Sequence, residues 1–220
     1  EFGEDSPYAD CFDIDWEHPN QDLKGRVLTP LLGDFYGKCL ERGEIQLSYG
    51  ETGLKVNYYE LSFPLRMSSY AKVLARDLGR LSKVLGQEHP DFMKFLGILY
   101  ILNSIPSEVS RKQRQDQATF VKYLLWELYS GNSEIQEFID SNIRFFNGKA
   151  GQPESFDALD NLLSEQYFRL AFWKVGSEEL NYRRFFSINR LVSLRVENER
   201  VYKITHRLIQ KLIQSGKVTG

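Results

Sequence analysis

Asp13-Ile14-Asp15-Trp16 sets two carboxylates two positions apart, beside an indole ring. On an extended chain that spacing turns both carboxylates to one side, an arrangement suited to binding sugar hydroxyls against an aromatic face. The same residues also read as an exposed acidic turn with Trp16 packed inward, because carboxylates are mostly found at the surface. A denser group lies at Asn181-Tyr182-Arg183-Arg184-Phe185-Phe186-Ser187-Ile188-Asn189, where two guanidinium forks stand among aromatic rings and amides. Arginine is a rigid multi-donor fork for oxyanions and hydroxyls, and rings stack on sugar faces. The alternative is a core β segment whose arginines pair with Glu178, Glu179 or Asp157.

Little else has the pattern of a reactive site. His18, His89 and His206 are scattered, without a partner at metal-ligand spacing. His206, beside Lys203 and Arg207, reads as solvated or structural. Cys11 and Cys39 form neither a C-x-x-C pair nor a zinc-spaced cluster, which disfavours a disulfide framework and structural zinc alike. Nucleophile elbows, phosphate-cradling glycine loops and H-E-x-x-H are absent, so no cofactor is indicated. Arg111-Lys112-Gln113-Arg114 is too brief a basic run for nucleic acid and reads as a solvated helix start. With 28 basic against 30 acidic residues, no overall field favours nucleic acid or an anionic membrane. No apolar run approaches the ~20 residues of a membrane span, and the N-terminus lacks a signal pattern, so the expected compartment is the cytoplasm.

The 220 residues, 42% hydrophobic, suffice for a substantial core. Three stretches would position the polar groups. Residues 1–67 read as an α/β lobe. It has the apolar segment Val27-Leu28-Thr29-Pro30-Leu31-Leu32-Gly33, a short helix from 36 to 43, and a hairpin of strands 44–49 and 54–60 about the turn Gly50-Glu51-Thr52-Gly53. Residues 68–150 take the helical period. Tyr70, Val73, Leu74, Leu78, Leu81 and Leu85 mark one helix closed by Gly86, and Phe92, Phe95, Leu96, Leu99 and Leu102 a second ending before Pro106. Phe120, Leu124, Leu125 and Leu128 mark a third, and Ile135, Phe138, Ile139 and Ile143 a fourth, stopping at Asn147-Gly148. Residues 151–220 form a return segment. Its first helix carries Phe156, Leu159, Leu162, Leu163 and Leu170, and its last, over about 197–214, turns Val201, Ile204, Leu208 and Leu212 inward. There is no internal repeat. The chain opens on Glu1-Phe2-Gly3 and closes on Lys217-Val218-Thr219-Gly220, and it reads as excised from a longer protein.

Several blocks in this order resemble the maltooligosyl trehalose synthases. Ser6-Pro7-Tyr8-Ala9-Asp10-Cys11-Phe12-Asp13-Ile14-Asp15-Trp16 is similar to the segment after that family's third barrel strand. Gly25-Arg26-Val27-Leu28-Thr29-Pro30-Leu31-Leu32-Gly33 with Tyr36-Gly37 looks like the next block. Gln166-Tyr167-Phe168-Arg169-Leu170-Ala171-Phe172-Trp173-Lys174 and Asn181-Tyr182-Arg183-Arg184-Phe185-Phe186 match closely, and Leu194-Arg195-Val196-Glu197 and Thr205-His206-Arg207 extend the match. Ser187 stands where the family carries an acidic residue, Cys11 where an aromatic or small one is usual, and residues 68–150 carry no family motif.

The resemblance implies a parent with an α-amylase-like (β/α)8 barrel and its active site at the C-terminal ends of the strands. This chain would be the excursion between the third and fourth strands, α+β and mainly helical, with its last helix the barrel's third. The nucleophilic Asp and the acid/base Glu would then lie outside it. The implied reaction isomerises the reducing end of a maltooligosaccharide to an α,α-1,1 link. It runs with retention through two carboxyls ~5 Å apart, in a pocket that excludes water. Asp13, Asp15, Trp16, Tyr182, Arg183, Arg184, Phe185 and Asn189 would contribute to the pocket wall, with no catalytic residue or metal among them. The isolated piece is expected to be inactive, and self-association of the fragment through surface that would face the barrel is left open by the sequence. One rival is a helical interaction module binding through residues 68–146. Another is a piece of a different α-glucan hydrolase or glucanotransferase. Apolar surface left exposed on the last helix would fit a missing barrel better than a partner groove.

Overall fold

The computed structural model describes residues 6, 8–104 and 110–218, with only the backbone at Arg111. In chain order the first elements are β1 (Val27–Leu32), α1 (Tyr36–Glu41), β2 (Ile45–Gly50), β3 (Gly53–Tyr58) and β4 (Leu61–Pro64). Helices α2 (Met67–Leu74), α3 (Leu78–Leu85), α4 (Pro90–Asn103), α5 (Arg111–Gly131), α6 (Ser133–Phe146) and α7 (Asp157–Leu163) follow. The chain continues with β5 (Phe168–Phe172), β6 (Arg184–Phe185), β7 (Ile188–Val192) and α8 (Glu199–Gln214). Helix and sheet are mixed, as the α+β expectation requires.

β2, β3 and β4 form an antiparallel meander. Its first turn lies where the Gly50-Glu51-Thr52-Gly53 signal puts it, and Leu54, Val56 and Tyr58 are buried on alternate positions of β3. Gly53 has φ +101°, and a Cβ there would stand 2.2 Å from the Tyr70 hydroxyl oxygen, so the turn requires glycine. The third strand, Leu61-Ser62-Phe63-Pro64, is short and partly exposed and shows no clear alternation.

Helices α2 to α6 share one apolar core with this sheet. Local side-chain caps start α4, α5 and α6: His89 accepts from the Asp91 amide with Pro90 in the first helical position, Ser110 and Gln113 form a capping box, and Asn132 accepts from the amides of Glu134 and Ile135. The helix expected from Tyr70 to Leu85 is two helices, α2 and α3, because Asp77 takes the left-handed conformation at φ +54° and breaks the ladder. Leu170, expected on the helix with Leu159 and Leu163, lies instead in β5, after α7 has ended at Leu163. The end of α4 expected before Pro106 agrees with its last residue, Asn103, while Pro106 itself lies outside the described residues.

One apolar core runs from Leu32 of β1 through the meander and α2–α7 to Phe168 and Leu170 of β5. β1 and β5 pair in parallel, although residues 33–167 separate them. A second, small cluster joins Ile14, Val27 and Tyr182, with Phe12, Trp16, Leu180 and Val192 against it. Helix α8 departs from expectation. Of its apolar residues only Val201 is buried, while Ile204 and Leu208, read as inward, are exposed together with Ile209 and Ile213. The physical reason is that its apolar face is largely uncovered among the described residues.

Candidate functional site

Three segments remote in sequence meet as one patch of extended chain. The Arg183 amide donates to the Asp13 carbonyl (2.9 Å), the Asp13 amide to Ser193 (2.8 Å), the Ser193 amide to Arg183 (2.7 Å) and the Asp15 amide to Asn181 (2.7 Å). Bridges pair Phe12 with Leu194 and Ile14 with Tyr182, and the β6–β7 hairpin extends the patch. Asn181, only 3% exposed, holds it to β1. Its amide oxygen accepts from the Leu28 amide (3.0 Å), and its amide nitrogen donates to the carbonyls of Arg26 (2.6 Å) and Asp15 (3.1 Å). Sequence reasoning left Asn181 out of the pocket set. The available signal was an amide inside the apolar stretch Leu180-Asn181-Tyr182 without a turn signature.

Asp13 and Arg183 come together as an ion pair. Asp13 Oδ2 lies 2.8 Å from Arg183 Nε, and its Oδ1 lies 3.5 Å from Arg195 Nε. Arg183 also reaches Glu197 (3.5 Å) and the Leu194 carbonyl, and Arg195 donates to the Ile14 carbonyl (2.7 Å). The pairing of the arginines with Glu178, Glu179 or Asp157 is thus replaced by Asp13, Glu197 and Asn189, because the chain returns on the N-terminal segment. Arg195 and Glu197 are partners that the candidate set missed. Asp15 does not share the Asp13 ion pairs: its carboxylate accepts from the Glu17 amide at 3.1 Å and caps an exposed turn.

Trp16 is half-buried against the Ile14–Val27–Tyr182 cluster. Tyr182 is buried there and donates to the Asn189 carbonyl at 2.8 Å. Burial pushes its phenol above the usual range, and the Arg184 charge partly opposes that shift. Arg184 donates to the Asn189 side-chain oxygen at 2.9 Å. Gly176 makes room for that amide, since a Cβ there would lie 2.7 Å from Asn189 Nδ2. At the hairpin tip Phe185 and Phe186 stand edge to face, 4.7 Å apart, with Phe186 81% exposed and at φ +56°. A bulky residue rarely holds that conformation, and such strain tends to gather at binding sites.

Tyr182 and Asn189 also edge a cavity of about 640 Å3 bounded by β1, β4 and α5, a size that admits a small ligand. Arg66 lies over the Tyr167 ring in its wall, 3.9 Å from the centroid. The patch offers hydrogen-bond donors and stacking rings, while its carboxylates are engaged by guanidinium groups or turn amides. Such an arrangement has the chemistry for binding and positioning a ligand. Among the described residues no three His, Cys, Asp or Glu side chains converge as a metal site, and no helix is long and apolar enough to cross a membrane.

No protein-family model matches the chain, and no curated protein matches it. Among solved structures it is similar to the maltooligosyltrehalose synthase from Arthrobacter ramosus, at 23% identity over 98% of this chain and 16% of that one, with a TM-score of 0.46. It is also similar to a structure described as maltooligosyl trehalose synthase, at 15% identity over 94% of this chain and 16% of that one, TM-score 0.46. A third is the DSM5389 glycosyltrehalose synthase, at 19% identity over 94% of this chain and 17% of that one, TM-score 0.44. The chain spans about a sixth of the length of these structures.

Proposed function

We propose that this chain is a section of a maltooligosyl trehalose synthase, lying between the third and fourth strands of that enzyme's barrel, and that it walls the substrate pocket without supplying the catalytic carboxylates. The observation that carries the reading is α8. Leucines and isoleucines recur on it at helical spacing, yet Val201 alone is buried and Leu208 is 67% exposed. A helix so patterned is built to be covered, and the family resemblance supplies the cover as a barrel. The rival interaction module loses support for a matching reason. Phe95, Ile98, Leu125 and Ile139 of the central helices are buried in the common core, so the faces that carry them are already occupied, and the rings left exposed there among the described residues are Tyr100 on α4, Phe120 and Tyr123 on α5 and Phe145 on α6.

In such an enzyme the reducing-end glucose, once cleaved, is kept, turned and rejoined through its anomeric hydroxyl, and water in the pocket would divert it to hydrolysis. The contribution of this chain is geometric. Phe185 presents a stacking ring, Arg184 and Asn189 hold the hairpin that carries it, and Asp13 with Arg183 fixes the strand beneath.

The test is to express the whole open reading frame and incubate it with maltopentaose under NMR. Loss of reducing-end signals with an α,α-1,1 product supports the reading, glucose release alone indicates a hydrolase, and no reaction returns the interaction module. In that enzyme Phe185→Ala and Arg184→Ala are expected to raise hydrolysis over isomerisation by about tenfold, roughly 1.4 kcal/mol of lost discrimination. An unchanged ratio in both removes the pocket role.

A further inference from the structure

Beyond the C-terminal ends of β1 and β5 lies a group of rings turned to solvent. Phe35 is 61% and Trp173 54% exposed. Phe172 stands between them, its ring centroid 5.3 Å from that of Phe35 and 5.9 Å from that of Trp173. Adjacent exposed rings of this size mark contact surfaces. Phe35 and Phe172 also form a wall of a second cavity, of about 460 Å3.

The polar groups of that cavity are held in pairs. Tyr36 donates to Asp160 at 2.7 Å, Arg169 lies 2.6 Å from Asp22, and Asn20 donates to Glu179 at 3.1 Å. Burial first, and then the Asp160 contact, raise the Tyr36 phenol above its ordinary range. Carboxylates and guanidinium groups nearly balance around the cavity, with Arg26 beside Asp22 as well. A strong anion would meet the carboxylates, and a strong cation the guanidinium groups. An apolar peptide would suit the rings but desolvate the charged rim at a cost. A neutral ring compound with hydroxyls on adjacent carbons meets all these groups at once: a flat apolar face for the aromatic wall, donors for the carboxylates and acceptors for the guanidinium.

We propose that this cleft binds a neutral saccharide, one pyranose ring stacking on Phe35 with its hydroxyls at Asp160 and the Asp22–Arg169 pair, and Trp173 extending the platform toward the next sugar. The site uses none of the residues assigned to the pocket wall above and stands independently of that reading.

The 220-residue chain is titrated with maltotriose and with cellotriose, following saturation transfer to the sugar protons and tryptophan fluorescence. Binding is expected at millimolar affinity for at least one of them, weakened about tenfold or more by Phe35→Ala and by Asp160→Asn. Tyr100→Ala, which removes an exposed ring on α4, is expected to leave it unchanged. Circular dichroism of the Phe35 variant reports its fold, and the exposure of that ring means the fold should persist. No response to either sugar up to about 10 mM overturns the proposal. So does binding that Phe35→Ala and Asp160→Asn leave intact, or that Tyr100→Ala weakens equally.

Discussion

At the scale of single residues, the amides do more for this structure than the charged groups that first draw notice. Asn181 satisfies three backbone groups of two other segments, and Gln166, fully buried, accepts from the Arg66 amide and donates to the Ser69 hydroxyl and the Leu162 carbonyl. Asn181→Ala leaves the Leu28 amide and the Arg26 carbonyl short of partners, so about 2–4 kcal/mol of stability should be lost, measurable by urea unfolding. A loss below about 0.5 kcal/mol would show that water replaces the amide there. The sequence makes Asp13, Arg183 and Arg184 conspicuous as chemistry, and it cannot reveal that Asp13 and Arg183 are each other's partner. That pairing is set by a chain reversal spanning some 170 positions, for which local spacing carries no signal. Conversely Tyr182, Arg184 and Asn189 are close in sequence and are brought together by one hairpin, which is why that part of the candidate site was legible.

At the scale of elements, legibility follows locality. The β2–β3 hairpin is written in a period of two and a glycine-bounded turn, and it forms where that pattern predicts. The break between α2 and α3 is invisible to periodicity because Leu78 and Leu81 keep the helical spacing across it, and only the Asp77 backbone shows it. Gly53→Ala sets a methyl against the Tyr70 hydroxyl, which itself accepts from the Leu54 amide. Such a change is expected to cost about 2 kcal/mol or more and to lower the thermal midpoint accordingly. Helix α8 makes the opposite case. Leu208→Gln should alter the stability of this chain by less than about 0.5 kcal/mol, as at any surface position, and should reduce self-association in sedimentation. A loss of several kcal/mol would mean that the helix is packed in solution.

At the scale of the molecule, the rings of the core impose an alkaline limit. Tyr36, Tyr49, Tyr58, Tyr129 and Tyr182 all have phenols raised above the ordinary range, with burial the leading cause in each. Their neutral form is favoured in the folded chain, so the stability they contribute is intact below about pH 10 and falls as pH rises beyond it, where the unfolded chain ionises and the folded one resists. Absorbance at the phenolate band should therefore rise in two stages, the second coincident with loss of circular dichroism. A single smooth titration with the fold intact would contradict the burial of these groups.

The parallel pairing of β1 with β5 has a kinetic corollary. The hairpin and the helices between them need only near neighbours to form, whereas the two strands must find one another across the whole intervening chain, and loop-closure entropy opposes that search until the centre is already compact. Assembly should therefore run from the middle outward. The patch carrying Asp13, Asn181 and Arg183, which depends on that last closure, would be completed at the end of folding and be the first part lost on unfolding.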